Sequence, residues 1–130
     1  MATQKPLFIR VEGTQPILNV KDITVSAAFY KNTLGFREEE AWSNESFIAL
    51  RRDAGCIFLS HDKQGCSAAC LWVSFYGDMH ALHAQLLDLG VTIRMPPTNY
   101  PWALEMHIED PDGHVLRLGT DPIPAGEEVL

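Results

Sequence analysis

The sequence predicts an α+β fold assembled from two copies of one unit, strand–helix–three strands, within 130 residues. Three observations predict it. Each half carries a helix-like stretch closed by Leu-Gly, first at Leu34-Gly35 and again 55 residues later at Leu89-Gly90. Each half then runs through strand-like segments joined by a Gly-containing turn, Asp53-Ala-Gly55 and Asp110-Pro-Asp-Gly113, whose glycines lie 58 residues apart. The same offset of 58 matches Ile48 and Leu50 with Met106 and Ile108.

The elements follow in order. Pro16–Val20 is a short apolar strand, and Asp22 offers a carboxylate to the amides of Thr24 or Val25 as a helix cap. The spacing predicts a helix over 23–34, stopped by Gly35 in the left-handed position. Phe36–Trp42 reads as a weak strand, because three consecutive glutamates have low strand propensity. Ser46–Arg52 and Gly55–His61 are two firmer strands. In the second half Ala68–Phe75 is a strand and Asp78 caps the next helix, where Met79, Leu82, Leu86 and Leu89 form one apolar stripe. Val91–Met95 starts a strand that Pro96-Pro97 should break. Trp102–Glu109 and Gly113–Gly119 complete the set. One domain over 1–130 is expected, with module one at about 14–62, module two at about 67–119 and a loose acidic tail at 120–130.

Composition excludes several classes. With 46% hydrophobic and 21% charged residues, disordered, collagen-like and disulfide-rich scaffolds are ruled out. The net charge of −7 arises entirely in residues 66–130, where Arg94 and Arg117 stand against nine acids. Nucleic acid is a poor partner for that surface, since phosphate contacts need Lys/Arg clusters. The acid surplus reads as a solubility surface or as a field steering a cationic ligand. Cys56, Cys66 and Cys70 lack zinc-type spacing and read as free thiols. No apolar signal region or membrane-length run is present, so a cytoplasmic protein without membrane contact is expected.

Two stretches resemble the vicinal oxygen chelate superfamily, which includes glyoxalases, extradiol dioxygenases and the fosfomycin- and bleomycin-resistance proteins. They are Leu18–Asp22 with Phe29-Tyr30 and Leu34-Gly35-Phe36, and Trp102 through Asp110-Pro-Asp-Gly113 to Leu118. The resemblance implies paired βαβββ modules whose eight strands curve around a cup, with the helices outside. Strand alternation then turns Gln15/Ile17/Asn19, Phe47/Ala49/Arg51, Phe58/Ser60, Cys70/Trp72/Ser74, Glu105/His107/Glu109 and Arg117 into the cup.

Metal-dependent members of that superfamily place His, Glu or Gln at four inward positions, which here are Gln15, Phe58, Cys70 and Arg117. Gln15 alone resembles a usual ligand; phenylalanine has no lone pair and arginine repels a cation. No metal and no other cofactor are therefore expected. His80 and His83 lie one helical turn apart, where two imidazoles can share a metal, but they flank the second helix's apolar stripe and read as surface residues, and His61 and His114 read as structural. His107 alone lies on a cup face, without a visible orienting partner.

What remains is a candidate ligand site of Phe47, Phe58, Trp72, Trp102, Glu105, His107 and Arg117. Aromatic faces stack on planar molecules, and carboxylates hold ammonium or guanidinium groups. Arg117 either pairs with Glu105 or takes a ligand carboxylate. The run Pro101–Gly113 looks like the corresponding strand of the metal-free bleomycin-resistance proteins, acidic dimers that sequester a cationic, planar-ended glycopeptide. Pro16 resembles the proline at which the first strand of those dimers crosses to the partner. The expectation is a metal-independent small-molecule binding homodimer. Its alternative is a metal-dependent glyoxalase-like lyase, isomerase or dioxygenase.

Overall fold

A computed structural model describes residues 9–127; the expectations for the first residues of the lead-in and the last of the tail lie outside the described residues. The first module contains β1 (Ile17–Asn19), α1 (Ile23–Ala28), β2 (Arg37–Glu38), β3 (Phe47–Arg52) and β4 (Gly55–Ser60). The second contains β5 (Cys70–Ser74), α2 (Met79–Asp88), β6 (Thr92–Asn99), β7 (Leu104–Glu109) and β8 (Val115–Thr120). The order strand–helix–three strands thus occurs twice.

Each module forms its own four-stranded mixed sheet, ordered β1–β4–β3–β2 and β5–β8–β7–β6. The expected eight strands are divided between these two sheets and do not close. In each sheet the first strand lies parallel to the last, and the remaining pairs are antiparallel. Asp22 accepts hydrogen bonds from Thr24 and Val25, and Asp78 from His80 and Ala81, so both helices start where their carboxylates predict. Gly35 (φ 72°) and Gly90 (φ 76°) take the left-handed conformation beyond the helices.

Three expectations are corrected. The first helix is α-helical only to Ala28 and widens into a π-turn over Phe29–Thr33. Phe36–Trp42 contributes only Arg37–Glu38 to a sheet; Glu40–Trp42 coils into a 3-10 turn, as a glutamate-rich segment favours. Conversely, β6 continues through Pro96-Pro97. It is the outer strand of its sheet, so the missing proline N–H groups cost no second ladder, and its register shifts twice between Ile93 and Thr98.

Alternation along the strands sorts the side chains as predicted. Leu18/Val20, Ile48/Leu50, Ile57/Leu59, Met106/Ile108 and Leu116/Leu118 are buried, and with Tyr30, Met79 and Leu86 they belong to one core spanning both modules. The modules are also joined by polar contacts. The turn between β7 and β8 docks on the first helix: Tyr30 Oη donates to Asp110 at 2.7 Å, the Lys21 amide to Asp112 at 2.7 Å, and the Ser26 hydroxyl to Asp112. Burial and the Asp110 carboxylate both push the Tyr30 phenol's pKa up, so it remains a donor. His114, buried under the turn, accepts from the Ala69 amide at Nδ1 (2.9 Å) and donates from Nε2 to Asn19 O (2.7 Å). These contacts define its tautomer and fasten the start of β8 to the end of β1.

Candidate functional site

The face of the second sheet opposite its helix carries most of the chemistry. Pairing across β5, β8 and β7 sets Trp72, Arg117 and His107 in one row. The next row holds Ser74, Gly119 and Glu105. Charged and aromatic groups that are distant in sequence thereby become neighbours on one pleated surface.

Glu105 organises them. Its carboxylate is fully buried, yet burial alone would raise its pKa. Hydrogen bonds from His107, Arg117 and Trp102 outweigh that effect and lower it to about 2. Oε1 accepts from Arg117 Nη2 at 2.8 Å and Nε at 3.1 Å, and lies 2.9 Å from His107 Nε2. Oε2 accepts from the Trp102 indole. The sequence left Arg117 a choice of partner; in the structure it is Glu105. The orienting partner that His107 lacked in the sequence is Glu105 as well, two residues away on the same strand face.

The carboxylate expected to meet a ligand cation is thus enclosed and committed to neighbouring donors. It positions Trp102, His107 and Arg117. Both tryptophans remain open: Trp72 is 47% and Trp102 63% exposed. Trp102 stacks on Tyr100 with ring centroids 4.8 Å apart and planes 5° from parallel. Trp72 is anchored by its indole N–H to Ser74 Oγ (2.6 Å), lies within 5.5 Å of the Arg117 guanidinium, and rests against Gly119. A Cβ at residue 119 would come within 2.3 Å of the indole, so glycine is what admits the ring. Trp72 and Trp102 border a cleft of about 320 Å³ that also touches Ser74, Phe75, Tyr76 and Asp121.

Five of the seven expected site residues are therefore gathered at one sheet: Trp72, Glu105, His107 and Arg117 on its strands and Trp102 in the bend before β7. Phe47 and Phe58 are on the other sheet, where their rings contact each other at 5.2 Å. Sequence reading missed Tyr100, Gly119 and Asp121. A tyrosine two residues before a tryptophan was the available signal for Tyr100. Gly119 and Asp121 show their role only through the strand register and the course of the tail.

The four family metal positions do not fit a divalent ion. Gln15 is exposed ahead of β1, Phe58 packs on Phe47, Cys70 is an exposed thiol, and Arg117 is bonded to Glu105. Among the described residues, no three His, Cys, Asp or Glu side chains converge as a metal site requires. The three cysteines are unbridged, and burial raises the pKa of the Cys56 thiol. Among the described residues no helix is long and apolar enough to cross a membrane.

Solved structures share this fold at low sequence identity. A virulence protein from Salmonella typhimurium superposes with a TM-score of 0.73 at 20% identity, over 88% of this chain and 99% of its own. An antibiotic-binding protein from Streptomyces sp. CB03234 gives 0.72 at 22% identity, over 90% and 99%. The bleomycin-binding protein of the bleomycin producer Streptomyces verticillus, complexed with copper(II)-bleomycin, gives 0.66 at 20% identity, over 87% and 98%. No curated protein sequence matches the chain. Residues 11–118 match the family model of the Glyoxalase/Bleomycin resistance protein/Dioxygenase superfamily, and the chain belongs to that family.

Proposed function

We propose that this member of the superfamily binds a planar, cationic aromatic molecule without a metal, in the cleft bordered by Trp72 and Trp102, and sequesters it rather than transforming it. One observation carries the reading: two partly exposed indoles are held in fixed orientations beside a cleft, one by Glu105 and Tyr100, the other by Ser74 and Gly119. Aromatic surfaces ordered before the ligand arrives lose little entropy on binding. Asp121 on the cleft lining supplies the carboxylate that Glu105 cannot, and exposed Tyr76 adds a third ring. The net charge of −7 favours approach of a cation. Bleomycin- and antibiotic-binding proteins of the same fold are consistent with a role in drug resistance.

The working unit is a homodimer with clefts shared between subunits. The three free thiols favour a reducing compartment, the cytoplasm. Calorimetric titration with bleomycin and simpler aromatic cations tests the reading, with sedimentation equilibrium for the dimer. Saturable binding is expected, weakened about tenfold by Trp72→Ala or Trp102→Ala, the order of one aromatic–cation contact. Absence of heat and of thermal stabilisation across the panel overturns it.

A further inference from the structure

A second and larger cleft, about 640 Å³, lies where the two modules meet. Its lining includes Lys21, after β1, and His61, Lys63, Ser67 and Ala68 from the segment joining β4 to β5. Two lysines without an ion pair border it. Lys31, Arg51, Arg52, Arg94 and Arg117 each have a carboxylate within 4.0 Å. Lys21 and Lys63 have none among the described residues, and neither do Arg10 and Arg37, although the chain carries 17 acids against 10 Lys and Arg. The acidic residue on the lining, Asp112, has one oxygen on the Lys21 amide and the other on Ser26.

The wall that carries Lys63 is firmly built. Cys66 bridges to β1 through hydrogen bonds of 2.8 and 2.9 Å, and the Gly65 amide donates to Asn19 Oδ1 at 2.9 Å. A Cβ at residue 65 would lie 2.3 Å from Ile17 O, so only glycine allows this approach. Three non-glycine residues of the described chain adopt left-handed backbone conformations, and two of them, Lys63 (φ 59°) and Ala68 (φ 53°), line this cleft. Alanine has no polar side chain to favour that conformation.

We propose that this junction cleft is a second ligand site, for a small molecule bearing a phosphate or carboxylate group. Lys21 and Lys63 supply the positive charge, the Ser67 hydroxyl a directed donor, and Val20 and Ala68 an apolar surface for the body of the ligand. The site is independent of the tryptophan cleft, from which it shares no lining residue.

Inorganic phosphate and benzoate are titrated separately into isotope-labelled full-length protein, with potassium chloride at matched ionic strength as reference. The expected result is a saturable shift of amides in 19–21 and 61–68 with at least one probe. Saturation by phosphate alone identifies a phosphate-bearing ligand, and saturation by benzoate alone a carboxylate with an apolar body. The Lys21→Ala/Lys63→Ala double variant, at exposed positions, should keep the amide dispersion of the parent and bind at least about tenfold more weakly, whereas Lys31→Ala should bind normally. Shifts no greater than those caused by chloride, or a folded double variant with undiminished affinity, overturn the proposal.

Discussion

The two modules bury the same pattern of side chains and display different chemistry. Matching their ladders makes Phe47 equivalent to Glu105, Ala49 to His107, Phe58 to Arg117 and Ser60 to Gly119. In the first module this face is an aromatic pair beside a small side chain, with the Arg51–Glu39 ion pair further along β3. In the second it is an ion-paired network beneath two tryptophans. The core-facing partners on the same strands, Ile57/Leu59 and Leu116/Leu118, are aliphatic in both. Packing restricts one face of each strand, while the opposite face is free to acquire binding groups.

The likeness is tested first, where effects are largest. Leu59→Ala and Leu118→Ala each create a cavity in the shared core and should each cost about 2–5 kcal/mol in denaturant unfolding. Calorimetry of either variant should show one transition, and two resolved transitions would mean that the modules melt separately. Tyr30→Phe attacks the joint between them. It leaves a buried Asp110 oxygen without its tyrosine donor and should cost about 1–3 kcal/mol.

The differences give smaller, sharper effects. Gly119→Ala places a methyl group inside the contact with Trp72 and should displace that indole, whereas Ser60→Ala at the matching position meets no such ring. In a Trp42→Phe, Trp102→Phe background, emission should change with the first substitution and not with the second. A pH effect is confined to the second module. Glu105 is lowered from 4.5 to about 2 on folding, so its stabilising contribution is complete above the unfolded value and is lost as pH falls across that interval. Urea unfolding of wild type and Glu105→Gln should therefore differ at pH 6 and converge towards pH 2.

Much of this was legible in the sequence. The helix caps Asp22 and Asp78, the glycine stops and the alternating strands are local signals, and each appears where its residues indicate. Alternation also placed Trp72, Glu105, His107 and Arg117 on one face. It could not show that Glu105 would be enclosed, because enclosure depends on where the Trp102 and Arg117 side chains fold back. The passage of β6 through Pro96-Pro97 was illegible for a similar reason. Whether a proline breaks a strand depends on whether a neighbour lies on its far side, which is a property of the sheet. The π-turn at Phe29–Thr33 has no sequence pattern distinct from an ordinary amphipathic helix.

The turn docked on the first helix bears on whether the two halves are interchangeable. Cut apart, one half would retain Tyr30 and Ser26 with no carboxylates to receive their hydroxyls, and the other Asp110 and Asp112 with no hydroxyls to bond. Units that still follow the same plan have thereby ceased to be interchangeable. Either half alone, or two copies of one half, would leave those side chains without their partners.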